Sequence, residues 1–348
     1  MVDRRTFLQV AGVASGVIAG GTLSATAAGA AAPTPAAAGP LVPTSAWKNP
    51  NGPVARVLVV NDNGGDPDGL VSTAHAVLSS GGQVVGIVAS RKVYRFAPNP
   101  TSADQAKAKT DELLKVMGIK GIKTYAGSMD AMTAVDAPKD SAGARAIIAE
   151  ANRTDTTLPL YVTVGGALTD VASALQLDPS IAGKFTLIWI GGAAYPAGGA
   201  GETNSSDDPI AAQSVFNNST VHIWQVPIDV YSQALVGMSE FQLAMLPCGK
   251  AGGYLFNEIT ARIGLFRLKG DSYCMGDNPL VLLSAQNQVY DNAGSNGKFV
   301  VRPAPTLNAD LTYTDNPAGR PIRVYTSIDT HLMFNDFYAK MLLKYAKR

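Results

Sequence analysis

Beyond residue 50, apolar residues come in short unbroken runs rather than alternating with polar ones. Residues 55–60 (A-R-V-L-V-V), 84–89, 160–164, 185–190 and 221–226 each read as a strand covered on both faces. Between them, residues 70–78, 103–117, 142–151, 168–177 and 209–217 carry helical spacing, and 122–125 adds a further strand. Strand, helix, strand at this interval predicts βαβ units, so the fold class expected is α/β: a doubly wound, mostly parallel open sheet flanked by helices. The stretch 233–310 reads as more irregular, and a strand at 322–326 with a helix at 330–345 closes the chain. No internal repeat is visible.

Length and charge narrow the function classes. A chain of 348 residues that is 46% hydrophobic can bury a full core. Its 28 basic and 27 acidic residues nearly cancel, and no basic cluster interleaved with aromatics appears, which argues against a nucleic acid polymer as partner.

The N-terminus stands apart. Asp3-Arg4-Arg5-Thr6-Phe7-Leu8-Gln9 precedes a weakly apolar, Ala/Gly-rich run over 10–32 with A-x-A sites at Ala25-Thr26-Ala27 and Ala28-Gly29-Ala30. This is the pattern of a twin-arginine export signal, and the run is short and Gly-rich for a stable membrane span. The expected organisation is a signal peptide and disordered leader over 1–40 and a single α/β domain over 41–348, working in the periplasm or outside the cell. In an oxidising compartment, Cys248 and Cys274 fit either a disulfide or two separate buried thiols.

In open parallel sheets the ligand site lies at the carboxyl ends of the strands. Four exits are unusual: 61–69 (N-D-N-G-G-D-P-D-G), Gly165-Gly166-Ala167, Gly191-Gly192 and Pro227-Ile228-Asp229. The first crowds Asp62, Asp66 and Asp68 together, and carboxylates held so close repel unless a cation sits among them. A calcium loop of the EF-hand type fails, because its third and twelfth positions would be Gly64 and Thr73. Phosphate is disfavoured by the acids themselves, and a solvated Asp/Gly/Pro turn accounts for this loop but not for the others.

These loops resemble those of the inosine-uridine nucleoside hydrolase family. The first is similar to its D-x-D-P-G-x-D-D motif: aligned without a gap the acids fall on Asn61, Asn63, Pro67 and Asp68, and with one inserted residue on Asp62, Asp66 and Asp68, which keeps three carboxylates. Gly191-Gly192 followed by E-T-N-S-S-D-D-P-I-A-A (202–212) resembles the family's M-G-G and E-F-N-x-x-x-D-P-x-A-A. Val164 to Asp170 resembles T-G-P-L-T-N, and Met275-Gly276-Asp277-Asn278-Pro279 resembles the late H-D-P motif, with Gly276 where many members have histidine. The closing segment G-R-P-I-R-V-Y (319–325) also matches, so the likeness runs with gaps from 55 to 345.

The resemblance implies a Rossmann-like nucleoside hydrolase fold with a Ca2+ ion held by Asp62, Asp66, Asp68, the Gly165 carbonyl and Asp277. It implies substrate-binding roles for Glu202, Asn204, Asp277 and Asn99, and Asp66 as the catalytic general base. Asp208 with Pro209, and Thr169 or Asp170, read instead as helix starts. His75 and His222 read as structural and His331 as a capping neighbour, while Tyr195, Tyr231 and Tyr273 are open as proton donors. The expected partner is a small nucleoside or related glycoside, with room for a homo-oligomer. The expected reaction is water attack on an oxocarbenium-like sugar. Loss of the histidine at 276 supports an alternative, a catalytically silent calcium-dependent sugar- or nucleoside-binding protein.

Overall fold

Strand β1 (Ala55–Asn61) is buried along its whole length because it lies inside an eight-stranded sheet, between β2 (Gly82–Ala89) and β4 (Leu160–Gly165). The computed structural model describes residues 47–93, 101–199, 201–286 and 296–346. With β3 (Thr124–Ala126), β5 (Thr186–Ile190) and β6 (His222–Val226), the sheet runs β3-β2-β1-β4-β5-β6, followed by strands Pro321–Ile328 and Gly297–Pro303. All neighbours pair in parallel except the last two, which are antiparallel. The doubly wound α/β expectation is correct.

Alternation within the strands explains the unbroken apolar runs. Leu58 and Val60 of β1 and Leu187 and Trp189 of β5 face one core, while Val57 and Val59, and Ile188 and Ile190, face the other side. The first core is closed by α3 (Ala142–Ala151), α4 (Thr169–Leu177) and α6 (Pro209–Asn218), whose buried residues join it. The other side is covered by α1 (Pro67–Leu78), by α2 (Ala103–Val116) and by helices Gly249–Phe266 and Thr330–Tyr345, through residues such as Leu70, Leu113, Leu255 and Phe337.

Three expectations need correction. The stretch 233–310 is largely helical up to residue 285, with helices Met238–Met245, Gly249–Phe266 and Pro279–Ala285. Four glycines in Gly249–Phe266 dilute its apolar repeat, and burial of Leu255 and Ile259 against α1 holds the helix instead. Helix α1 starts at Pro67, not Leu70, because proline at the first helical position is preset for the turn. This moves Asp68 out of the loop and into the buried first turn of the helix. The expected strand at 122–125 sits two residues later, as Thr124–Ala126. The sulfur atoms of Cys248 and Cys274 are both free. No described helix is long and apolar enough to cross a membrane.

Candidate functional site

Strand register brings the unusual exits together. Ala89, Asn61, Gly165, Ile190 and Val226 are partners across five successive strands, so their exit loops open along one edge. The Asp62 amide donates to the Gly165 carbonyl at 3.3 Å, and the amides of Gly65 and Asp66 donate back to the Asp62 carbonyl at 2.7 and 3.2 Å, folding the acidic loop over the strand ends.

Asp66 is the N-cap residue of α1, yet its side chain caps nothing; one oxygen accepts the Tyr273 hydroxyl at 3.0 Å. Asp68 Oδ2 accepts the Asp277 amide at 3.2 Å, joining the first acidic loop to the late one. Gly165 is required by this approach: a Cβ there would stand 2.3 Å from Asn61 Oδ1 and 2.5 Å from Asp277 Cγ. Asp62, Asp68 and Asp277 are buried. Burial, and then the neighbouring carboxylates, push Asp62 up to about 7 against the pull of Lys92. Burial followed by Asp277 and Asp66 holds Asp68 well above the carboxylate range, and burial followed by Asp62 and Asp66 does the same for Asp277.

Among the described residues, no three His, Cys, Asp or Glu side chains stand in a preformed metal cage. The donor chemistry nonetheless fits a hard cation, since Asn61 Oδ1, Asp62 Oδ1 and Asp68 Oδ1 are buried oxygens without a hydrogen-bond partner. Asn61 belongs to the ungapped alignment, Asp62 to the gapped one and Asp68 to both, so both bear on the site. Asn63, by contrast, turns away to Thr73 and Thr110.

The residues assigned to sugar binding border this cluster and are already engaged. Glu202 caps α5 (Thr203–Asp207), accepting from the amides of Gly192, Asn204 and Ser205 at 2.7–2.9 Å and from the Tyr231 hydroxyl at 3.1 Å. Asn204 donates to the Ile190 carbonyl at 2.9 Å and accepts from Lys92 Nζ at 2.7 Å. Asn99 lies outside the described residues. Asp208 caps α6 through the Ala211 amide at 3.0 Å, and Asp170 accepts from the Ser128 amide at 2.9 Å and from Ser141, so both hold the scaffold.

Gly276 leaves space that another ring takes: a Cβ there would be 3.0 Å from Tyr231 Cδ2. Tyr195 bonds Gln225, away from the acids. None of the histidines reaches the cluster by a hydrogen bond: His75 is buried against Asp336 at 2.9 Å, His331 pairs with Asn335, and His222 starts β6 on an exposed position. Burial pushes the His75 imidazole below its usual value.

Lys92 and Asp207 escaped the reading of the sequence. Lys92 Nζ lies 2.8 Å from Asp62 Oδ2 and 3.5 Å from Asp207 Oδ2. Burial opposes its charge, but Asp62 and Asp207 outweigh that and hold the ammonium above its ordinary value. The signal was present: Ser90-Arg91-Lys92 is the exit of β2, a strand end on the same edge as the other four loops.

Comparison with known proteins bears on the family and the fold. A family model described as inosine-uridine preferring nucleoside hydrolase matches residues 67–292. No curated protein matches the chain. A purine-preferring ribonucleoside hydrolase from Gardnerella vaginalis superposes with a TM-score of 0.67 at 18% identity, covering 83% of this chain and 99% of its own. An inosine-uridine preferring nucleoside hydrolase from Bacillus anthracis gives 0.59 at 17%, covering 82% and 99%. The type III effector protein XopQ, solved with adenosine diphosphate ribose, gives 0.55 at 13%, covering 85% and 93%. The matched family model spans well over half of the sequence, and the chain belongs to the inosine-uridine preferring nucleoside hydrolase family, typically metal-dependent hydrolases acting on N-glycosyl compounds.

Proposed function

We propose that this protein hydrolyses the N-glycosidic bond of a ribonucleoside or related glycoside, depends on calcium, and does so outside the cytoplasm after export through the twin-arginine signal over residues 1–40. Residues 41–348 form the single catalytic domain in this reading. The observation that carries it is the meeting of Asp62, Asp66, Asp68 and Asp277 at one sheet edge, with buried oxygens lacking partners.

Asp62, Asp68, Asp277 and the Gly165 carbonyl would hold the ion, with Asp66 beside them. Bound there, calcium supplies a positive centre for the sugar hydroxyls and the attacking water. Asp66 is the general base, because its carboxylate is not spent on capping α1 and Tyr273 fixes its orientation. Glu202 and Asn204, held rigidly by their backbone and side-chain partners, border the ribose position and limit its orientation. Asp68 and Asp277 stay locked to one another so that both acidic loops keep one geometry.

The test is ribose release from a panel of purine and pyrimidine nucleosides, with chelator and then with calcium. Calcium-dependent release from at least one nucleoside is expected. Ribose binding without release from any of them would favour the silent binding protein, the reading that Gly276 supports by leaving no imidazole on this loop.

A further inference from the structure

Lys92 is built into the site rather than left at its edge. Its backbone is pinned in an antiparallel bridge with Thr101, the two amides donating to opposite carbonyls at 2.9 Å each. Its stem passes where a side chain at residue 65 would be: a Cβ on Gly65 would meet Lys92 Cβ at 2.2 Å. The ammonium then reaches acceptors on two separate segments, Asp62 after β1 and, in α5, Asn204 near its start and Asp207 at its end. The side chain is almost wholly buried, so these contacts replace its hydration.

The ammonium occupies only part of the acid cluster. It takes Asp62 Oδ2 and leaves Asp62 Oδ1 without a partner, while Asp68 Oδ1 is also unpartnered. Asp62, Asp66, Asp68 and Asp277 together offer more carboxylate oxygens than one lysine engages. A divalent cation entering the same cluster would share Asp62 with the ammonium and be repelled by it.

We propose that Lys92 is a resident counter-ion of the acid cluster: it holds Asp62 and Asn204 in place in the metal-free protein and weakens divalent-cation binding there. This rests on the calcium reading above and adds to it a residue that sets the site's affinity for metal. The same ammonium couples the acid and hydroxyl-binding halves, because Asp62 and Asn204 share it.

The experiment is calorimetric titration of calcium into the chelator-stripped wild type, Lys92→Met and Lys92→Gln, with thermal unfolding of each with and without the ion. The expected result is calcium binding at least about tenfold tighter in the variants, as removal of one repelling charge predicts. Their unfolding temperature without metal should be lower and should recover with calcium. Variants that fold only when calcium is present would support the same conclusion. Equal or weaker binding in folded variants, with the wild type binding calcium, would overturn the role of Lys92 and leave the calcium reading intact. Variants that stay unfolded even with calcium would also overturn it, showing a scaffold lysine. Absence of calcium binding in the wild type and both variants would overturn both.

Discussion

The Tyr273 hydroxyl donates to Asp66 Oδ1 across 3.0 Å, joining residues that are 207 positions apart in the chain. The contact turns a loop carboxylate into a fixed one. With no part in capping α1, Asp66 is the acid proposed above to take a proton from water. Asp66→Asn should lower kcat by about 10²-fold or more while changing KM far less, as expected when a general base is removed. Steady-state kinetics on whichever nucleoside is turned over checks this; a variant at full kcat sinks the assignment.

At Gly165, β1, β4 and the Asp277 loop approach closely. Adding one methyl in Gly165→Ala forces Asn61 or Asp277 to move, at a cost of about 1–3 kcal/mol by the usual penalty for overpacking. Chemical denaturation should show that loss, and calcium titration a weaker site. Unchanged stability would mean that the strand ends yield more freely than the close approach implies.

Protonation of the acids should make the metal-free protein sensitive to alkali. Asp62, ordinarily near 3.8, rises to about 7 in the folded chain. Between those values the folded state binds more protons than the unfolded one, so stability falls as pH rises and levels off above 7. From pH 6.5 to 8 the loss from this one carboxyl is about 1 kcal/mol by linkage, and Asp68 and Asp277 shift in the same direction. Buried His75 acts the other way only below its ordinary 6.5, where the unfolded chain takes up the proton that the folded one refuses. Denaturant unfolding at both pH values with chelator measures the loss; calcium should remove most of it, and a flat profile with chelator would contradict the clustering.

Export is tested on the twin arginines. Changing Arg4 and Arg5 together to lysine should keep the protein in the cytoplasm, as read by fractionation and immunodetection of whole cells. Normal export of the double variant would refute the twin-arginine reading.

Periodicity and loop chemistry carried much of this protein in one dimension. Unbroken apolar runs fixed the parallel sheet, because a strand covered on both faces has no polar side. Helix Ala142–Ala151 has the bounds the sequence predicted, since Ser141 caps it and the apolar spacing is regular. Asp62, Asp66 and Asp68 stood out because close acids at a strand exit are costly without a purpose, and Asp277 through the resemblance of its loop to the family's late H-D-P motif. What the chain did not show was decided by packing between distant segments. Helix Gly249–Phe266 depends on burial against α1 more than on its glycine-rich sequence. The engagement of Glu202 and Asn204 depends on hydrogen bonds that exist only once the exits of β2 and β5 and the turn at Tyr231 converge. Lys92 is the clearest case: a lysine after a strand is ordinary in a sequence, and only folding places its ammonium 2.8 Å from Asp62, where Coulomb attraction in a dry interior makes it part of the site.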